Sequence, residues 1–361
     1  MEHNLFAYIG TYTSNDSKGI YKLKLNAENN LVLDSDLAAA IDNPSYIITD
    51  NNCNYLYSVM ELQDYDGIPG GAVSAFKIDH ETGKLDLINS KPTYGKDPCH
   101  LTLSSNGKYL FVSNYSSGSL TVFRMEKNGS IGDRINFIQH TGSGPNKDRQ
   151  EAAHVHSSAF SPDGKHLCVV DLGCDKLFIY DFNNEDGSLK YNDELTLDIS
   201  PGSGPRHLAF HPKCNFLYVI NELSSEVTVL KYDSSTFKLK KLQTLSTIPQ
   251  DYNHESLCAA IKISPDGRFL YASNRGHNSI AIFKIEKNIG TLEFICVIPT
   301  GGDFPRDITI TPDGNTLYAA NQKSDSITVF HIDKDTGILK KDSEDISISI
   351  PVCICFCDFN K

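Results

Sequence analysis

Short runs in which apolar residues alternate with polar ones fill this chain, and Pro, Gly, Asn or Asp interrupts them every few residues. A two-residue period broken in this way predicts β-strands, and no stretch keeps the 3.6-residue period of a long helix. The stretch Pro205 to Glu222 shows the pattern most fully. Leu208 and Phe210 alternate with smaller or polar neighbours, Pro212 and Asn215 bracket a turn, and Phe216 to Ile220 is an apolar run that stops at Asn221. In an antiparallel hairpin the first residue of one strand lies beside the last residue of the other, so Arg206 and Glu222 are expected to be neighbours.

The same hairpin recurs from Pro44, Pro98, Val155, Cys258 and Pro305, and a half-copy starts at Pro351, at intervals of 54, 57, 50, 53, 47 and 46 residues. The turns repeat as Ser161-Pro162-Asp163-Gly164, Ser264-Pro265-Asp266-Gly267 and Thr311-Pro312-Asp313-Gly314. In each, Pro presets φ and Gly accepts positive φ. A third strand follows every hairpin, as in Leu120 to Phe123, Val227 to Leu230 and Ile327 to Phe330, and a weaker fourth follows motifs such as Thr82-Gly83 and Thr336-Gly337. Four short strands in about 50 residues make one blade of a β-propeller. The repeats predict an all-β fold, a seven-bladed β-propeller forming a single domain over residues 1–361. Val352 to Phe356 should supply the innermost strand of a blade whose other strands come from the N-terminus, which closes the ring and leaves no free edge.

Composition narrows the partners. A net charge of -12, with both signs mixed along the chain, argues against nucleic acid or an anionic membrane. A local cationic cluster still allows a small anionic ligand. The start of the chain lacks a basic segment followed by a long apolar one, so no signal peptide is expected, and no apolar run is long enough to span a bilayer. The ten cysteines sit mostly inside apolar strand patterns, as buried thiols do, and suit a reducing, cytoplasmic location. Cys353, Cys355 and Cys357 share one strand face, but no His or second Cys pair stands near them in sequence, so a buried strand is expected in place of a metal site.

In a propeller the first strands line a central channel, so their starts and the ends of the second strands converge on one mouth. The first set reads Ser45, Cys99, His156, Arg206, Ala259, Arg306 and Val352; the second reads Glu61, Tyr115, Leu172, Glu222, Arg275 and Gln322. Three arginines, a carboxylate and an imidazole therefore fall on consecutive blades, a set suited to an anionic substrate. The plainer reading is a structural ion pair at a blade junction. His100, His154 and His207 lie in the same region, and Asn114, Asn221, Asn274 and Asn321 repeat at equivalent places, which favours a structural role. With Glu61 and Glu222 these asparagines would also suit a hard cation, but the neighbouring arginines repel one, so no metal and no cofactor are expected.

Tyr8-Ile9-Gly10-Thr11-Tyr12, Asn114-Tyr115, His154-Val155-His156-Ser157, Gly204-Pro205-Arg206-His207, Asn221-Glu222-Leu223, Ser273-Asn274-Arg275 and Pro305-Arg306-Asp307 together resemble the seven-bladed propeller lactonase family. That family holds bacterial 6-phosphogluconolactonases and fungal carboxy-cis,cis-muconate cyclases, and the resemblance covers essentially the full length. It implies a 6-phosphogluconolactonase of the pentose phosphate pathway, with a lactonising cyclase or a non-enzymatic interaction scaffold as alternatives. It also implies His156, Arg206, Glu222 and Arg275 as the catalytic set. On chemical grounds His156 is the expected general base, Arg275 or Arg206 the oxyanion partner, and Arg306 with a second arginine the phosphate ligand. His154, His207, Tyr115 and Asn274 complete the expected substrate-binding set. The expected partner is a small sugar-phosphate lactone, bound by a monomer or weak homodimer. Whether Thr141 to Asp148 folds over the mouth is left open by the sequence.

Overall fold

A computed structural model describes residues 4–26, 30 and 32–358, and among these every regular element is a β-strand. Seven antiparallel sheets, each of four main strands, follow one another around the ring. Blade 1 joins Asn4–Thr11, Gly19–Asn26 and Val32–Ala40 to Pro351–Asp358 from the far end of the chain. The first strands of blades 2 to 7 are Ile47–Thr49, Pro98–Leu103, Val155–Phe160, Pro205–Phe210, Leu257–Ile263 and Pro305–Ile310. The ring closes as expected, with the register running from Leu5 opposite Asp358 to Thr11 opposite Pro351.

Local departures from the repeat have physical causes. In blade 2 the first strand begins only at Ile47, and a small hairpin, Asp64–Tyr65 with Ile68–Pro69, is inserted before the third strand. The outer strands of blades 4 and 7 are each broken in two, at Asn192 to Thr196 and Asp342 to Asp345, where runs of polar residues replace the alternation.

The core lies between neighbouring sheets. Leu217, Val219 and Leu230 of blade 5 pack on Cys168, Val170, Leu177 and Ile179 of blade 4, all buried. Each such aliphatic side chain contributes roughly 1.5–3 kcal/mol. Second-strand tyrosines tie blades 1, 5, 6 and 7 to the next: Tyr8 donates to the Gly83 carbonyl, Tyr218 to Gly290, Tyr271 to Gly337 and Tyr318 to Asn30, at 2.6–3.0 Å. Those glycines turn with φ of 68–74°, so the glycine turns before the fourth strands are docking points for the preceding blade.

Two backbone devices shape the mouth. Residues Asn43, Asp97, Gly204, Phe304 and Ile350, each directly before a proline, have φ between 43° and 63°. Their carbonyls accept the N–H of Glu61, Tyr115, Glu222, Gln322 and Tyr12, which fixes the ends of the second strands at the rim. One or two residues further on, the first strand bulges. The pairing skips Cys99, His156, Arg206 and Arg306, Ala259 lies in the longer irregularity of blade 6, and Val352 is skipped in blade 1. A bulge frees a residue from the alternation and re-aims its side chain, here in almost every blade.

Candidate active site

The hairpin register predicts contact between Arg206 and Glu222, and the structure shows it: Arg206 Nε lies 3.1 Å from Glu222 Oε2. Arg275, which ends the second strand of blade 6, brings Nη2 to 2.8 Å from the same oxygen. The other carboxylate oxygen, Oε1, is held at 2.6 Å by Nη2 of Arg149. Arg206, Glu222 and Arg275 are nearly fully buried, whereas the side chain of Arg149 is 35% exposed. Backbone carbonyls lock the two buried arginines, since Arg206 Nη1 donates to Ala259 at 2.7 Å and Arg275 Nη2 to Cys258 at 2.8 Å.

Sequence reasoning missed Arg149. It stands in the loop between blades 3 and 4, outside the repeat, so no position in the hairpin pattern pointed to it. The loop does reach the mouth, through this side chain: its guanidinium also approaches the Tyr115 hydroxyl at 3.4 Å.

A second polar group faces the first. Tyr12 donates to Glu61 Oε1 at 2.9 Å and accepts from Arg306 Nη2 at 2.9 Å, while Ser45 Oγ donates to Glu61 Oε2. The Arg306 guanidinium lies over the Tyr12 ring, 5.4 Å from its centre. Glu61 occupies the place in blade 2 that Glu222 holds in blade 5, a correspondence legible in the repeat. Arg306 lies within the fields of both carboxylates. Four guanidiniums thus meet two carboxylates, an excess of two positive charges in a chain whose net charge is -12.

His156 bulges from blade 4 beside this cluster, 4% exposed. Its carbonyl accepts from the Cys99 thiol at 3.2 Å, and its ring meets those of Tyr115 and His207 edge-on at 5.5 and 5.3 Å. His207 accepts from Arg206 Nη1 at 3.3 Å, and its ring touches that of His100, which leans on Tyr46. Below them His207, His100 and Tyr46 line a cavity of about 390 Å³ that runs to the Ser104–Gly107 turn, with Lys262 on its wall.

Charge states follow from these surroundings. Burial, reinforced by Arg206, holds the His156 pKa well below 6.5, so the imidazole is neutral. Burial with Arg206 does the same to His207, and burial with Lys262 and Arg206 brings His100 to about 3. For Glu222 burial works upward, but the Arg275, Arg206 and Arg149 guanidiniums outweigh it and hold the carboxyl far below its usual range. Burial and the neighbouring Arg275 and Arg306 lower Arg206 to about 10.

Two expected ligand residues are placed differently. Asn274 is fully buried and spends its side chain on the blade: the amide donates to the Thr247 carbonyl and Ser279 Oγ, and the oxygen accepts from Thr247 and Cys258. Asn114, Asn221 and Asn321 likewise hold third-strand hydroxyls, which bears on the structural reading of all four. His154 has both ring nitrogens engaged, at 3.1 Å to the Tyr115 carbonyl and 3.1 Å to Glu151, and stacks on Tyr115. It supports the Tyr115 ring and has no nitrogen left for a substrate. Among the described residues no group of three or more His, Cys, Asp or Glu side chains is arranged to hold a metal ion.

The fold and rim define a closed propeller with a cationic, His-bearing mouth. The chain matches the family described as Lactonase, 7-bladed beta-propeller over residues 6–356, and it belongs to that family. The 6-phosphogluconolactonase of Bacillus subtilis is 39% identical over 300 residues, 83% of each chain. Among solved structures, a candidate 6-phosphogluconolactonase of Bacteroides fragilis superposes with a TM-score of 0.92 at 37% identity, covering 99% of both chains. The periplasmic gluconolactonase of Pseudomonas aeruginosa superposes at 0.91 with 31% identity, again over 99% of both.

Proposed function

We propose that this protein is a lactone hydrolase that opens 6-phosphoglucono-1,5-lactone to 6-phosphogluconate, working as one propeller domain over residues 1–361. The observation that carries the reading is the junction of blades 4 to 6, where Glu222 binds Arg206 and Arg275 beside a neutral His156. The named relatives supply the substrate class.

Hydrolysis requires a proton to leave the attacking water, an oxyanion to be stabilised on the former carbonyl, and the ring oxygen to be protonated as its C–O bond breaks. His156 takes the water proton and returns it to the departing ring oxygen. A depressed pKa makes it a modest base but a strong acid once protonated, which suits the second transfer. Glu222 is too acidic to serve as the base; it holds Arg206 and Arg275 in place, and one of these stabilises the oxyanion. Arg306 adds to the field that draws the phosphorylated substrate. No cofactor enters this scheme. All these groups come from one chain, so a monomer suffices, and the ten free thiols suit the reducing cytoplasm.

The test is hydrolysis of 6-phosphoglucono-δ-lactone, corrected for spontaneous opening, by the wild type and by Glu222→Gln. Rapid turnover that collapses in the variant supports the reading. A wild type no faster than the uncatalysed background sinks it.

A further inference from the structure

Arg149 stands apart from the other rim arginines. Its backbone is fixed, because the adjacent Gln150 is fully buried, donates its amide to the Leu172 carbonyl at 2.8 Å and accepts from the Asn146 N–H at 3.2 Å. Gly118 and Gly173 press against the carbonyls of Ala153 and Ala152, where a Cβ would collide, so the loop lies close against blades 3 and 4. The side chain is the freer part. Arg206 and Arg275 are 4–5% exposed and tied to backbone carbonyls, but Arg149 is 35% exposed and uses only Nη2, on Glu222 and Tyr115. Its Nε and Nη1 have no partner among the described residues. Glu222 is already matched by two buried guanidiniums, so the third is surplus to the ion pair.

We propose that Arg149 is the second arginine of the phosphate subsite, working with Arg306, and that the loop between blades 3 and 4 serves to present it. This rests on the lactonase reading above. With Nη2 held by Glu222 and Tyr115, the Nε–H and Nη1–H groups remain to donate separate charge-assisted hydrogen bonds to phosphate oxygens. A dianion is costly to strip of water, and a half-exposed arginine lets the phosphate keep part of its hydration where Arg206 or Arg275 would not. The surplus of two positive charges at the mouth equals the charge of a fully ionised phosphate monoester. Arg149 then determines the preference for phosphorylated over plain sugar lactones, a distinction made pertinent by the Pseudomonas relative, which is named a gluconolactonase.

The experiment compares kcat/KM on 6-phosphoglucono-δ-lactone and on glucono-δ-lactone for the full-length wild type, Arg149→Ala and Arg149→Lys. Loss of charged hydrogen bonds should lower the phosphorylated-to-plain ratio by about 30-fold or more in Arg149→Ala, mainly through KM. Arg149→Lys, which keeps a point charge but loses the separate Nε and Nη1 donors, should fall between, and it carries the test if the alanine variant fails to fold. Inorganic phosphate should inhibit the wild type competitively and the alanine variant far more weakly. An unchanged ratio, or equal inhibition by phosphate, overturns the role of Arg149 while leaving the lactonase reading intact. A wild type that opens neither lactone overturns that reading, and this inference with it.

Discussion

At the scale of single residues, catalysis and stability pull apart at the rim. His156→Ala should lower kcat about a hundredfold or more with little change in KM, measured on the phosphorylated lactone; near-normal kcat would assign the proton transfer elsewhere. Because burial and Arg206 keep His156 neutral, kcat/KM should stay level as pH falls through 6.5 and decline only in more acidic solution. A midpoint at or above 6.5 would contradict that environment. Glu222→Gln removes the charge that three arginines share, and breaking a buried ion network of this kind costs about 3–5 kcal/mol, so a marked fall in melting temperature should accompany the loss of turnover. The contact between Arg206 and Glu222 was legible because a hairpin fixes which residues meet at its open end. The presence of Arg149 was not, since loop residues carry no register. The inward turn of Asn274 was signalled by its repetition at Asn114, Asn221 and Asn321, and its place among the substrate ligands overlooked that one residue of shift in a strand exchanges mouth for core.

At the scale of the element, the blade repeats through its turns and its tyrosines. The Ser-Pro-Asp-Gly turns close as their residues dictate: Ser161 Oγ donates to Asp163 at 2.6 Å, and Gly164 adopts a φ of 69°. The two inner strands were therefore readable in blades 4, 6 and 7, whose hairpins carry this turn. The breaks in the outer strands of blades 4 and 7 were harder to read, because an edge strand is held on one side only and polar residues interrupt it at small cost. Tyr218→Phe removes one hydrogen bond to Gly290 and leaves that carbonyl without its partner, so a loss of about 1 kcal/mol is expected by denaturant unfolding, with turnover unchanged. A loss below the error of the measurement would show that blade contacts rest on apolar packing alone.

At the scale of the whole molecule, three neutral imidazoles in edge-on contact couple stability to acid. His100, His156 and His207 all have folded pKa values below 6.5, so the unfolded chain binds more protons as pH drops. Their contribution is complete above 6.5 and is lost progressively as pH falls toward the folded values. Glu222, also depressed, adds a second loss once pH falls below 4.5. Melting temperature should therefore fall steadily on acidification from 6.5, and His100→Gln should flatten the upper part of that slope; a profile level from 7 to 5 would contradict it. Closure of the ring was visible in the half-copy at Pro351, because a lone innermost strand needs a blade to join. The bulges that re-aim the rim were not visible, since an extra residue in one strand leaves no mark on the apolar pattern.

Those bulges carry a consequence for how such a protein changes its trade. A side chain standing outside the ladder can be exchanged without disturbing the pleat on either side, so blades 3, 4, 5 and 7 each offer one position at the mouth that the strand pairing does not constrain. New chemistry at this opening then needs only a handful of substitutions, while the wheel that carries them stays as it was.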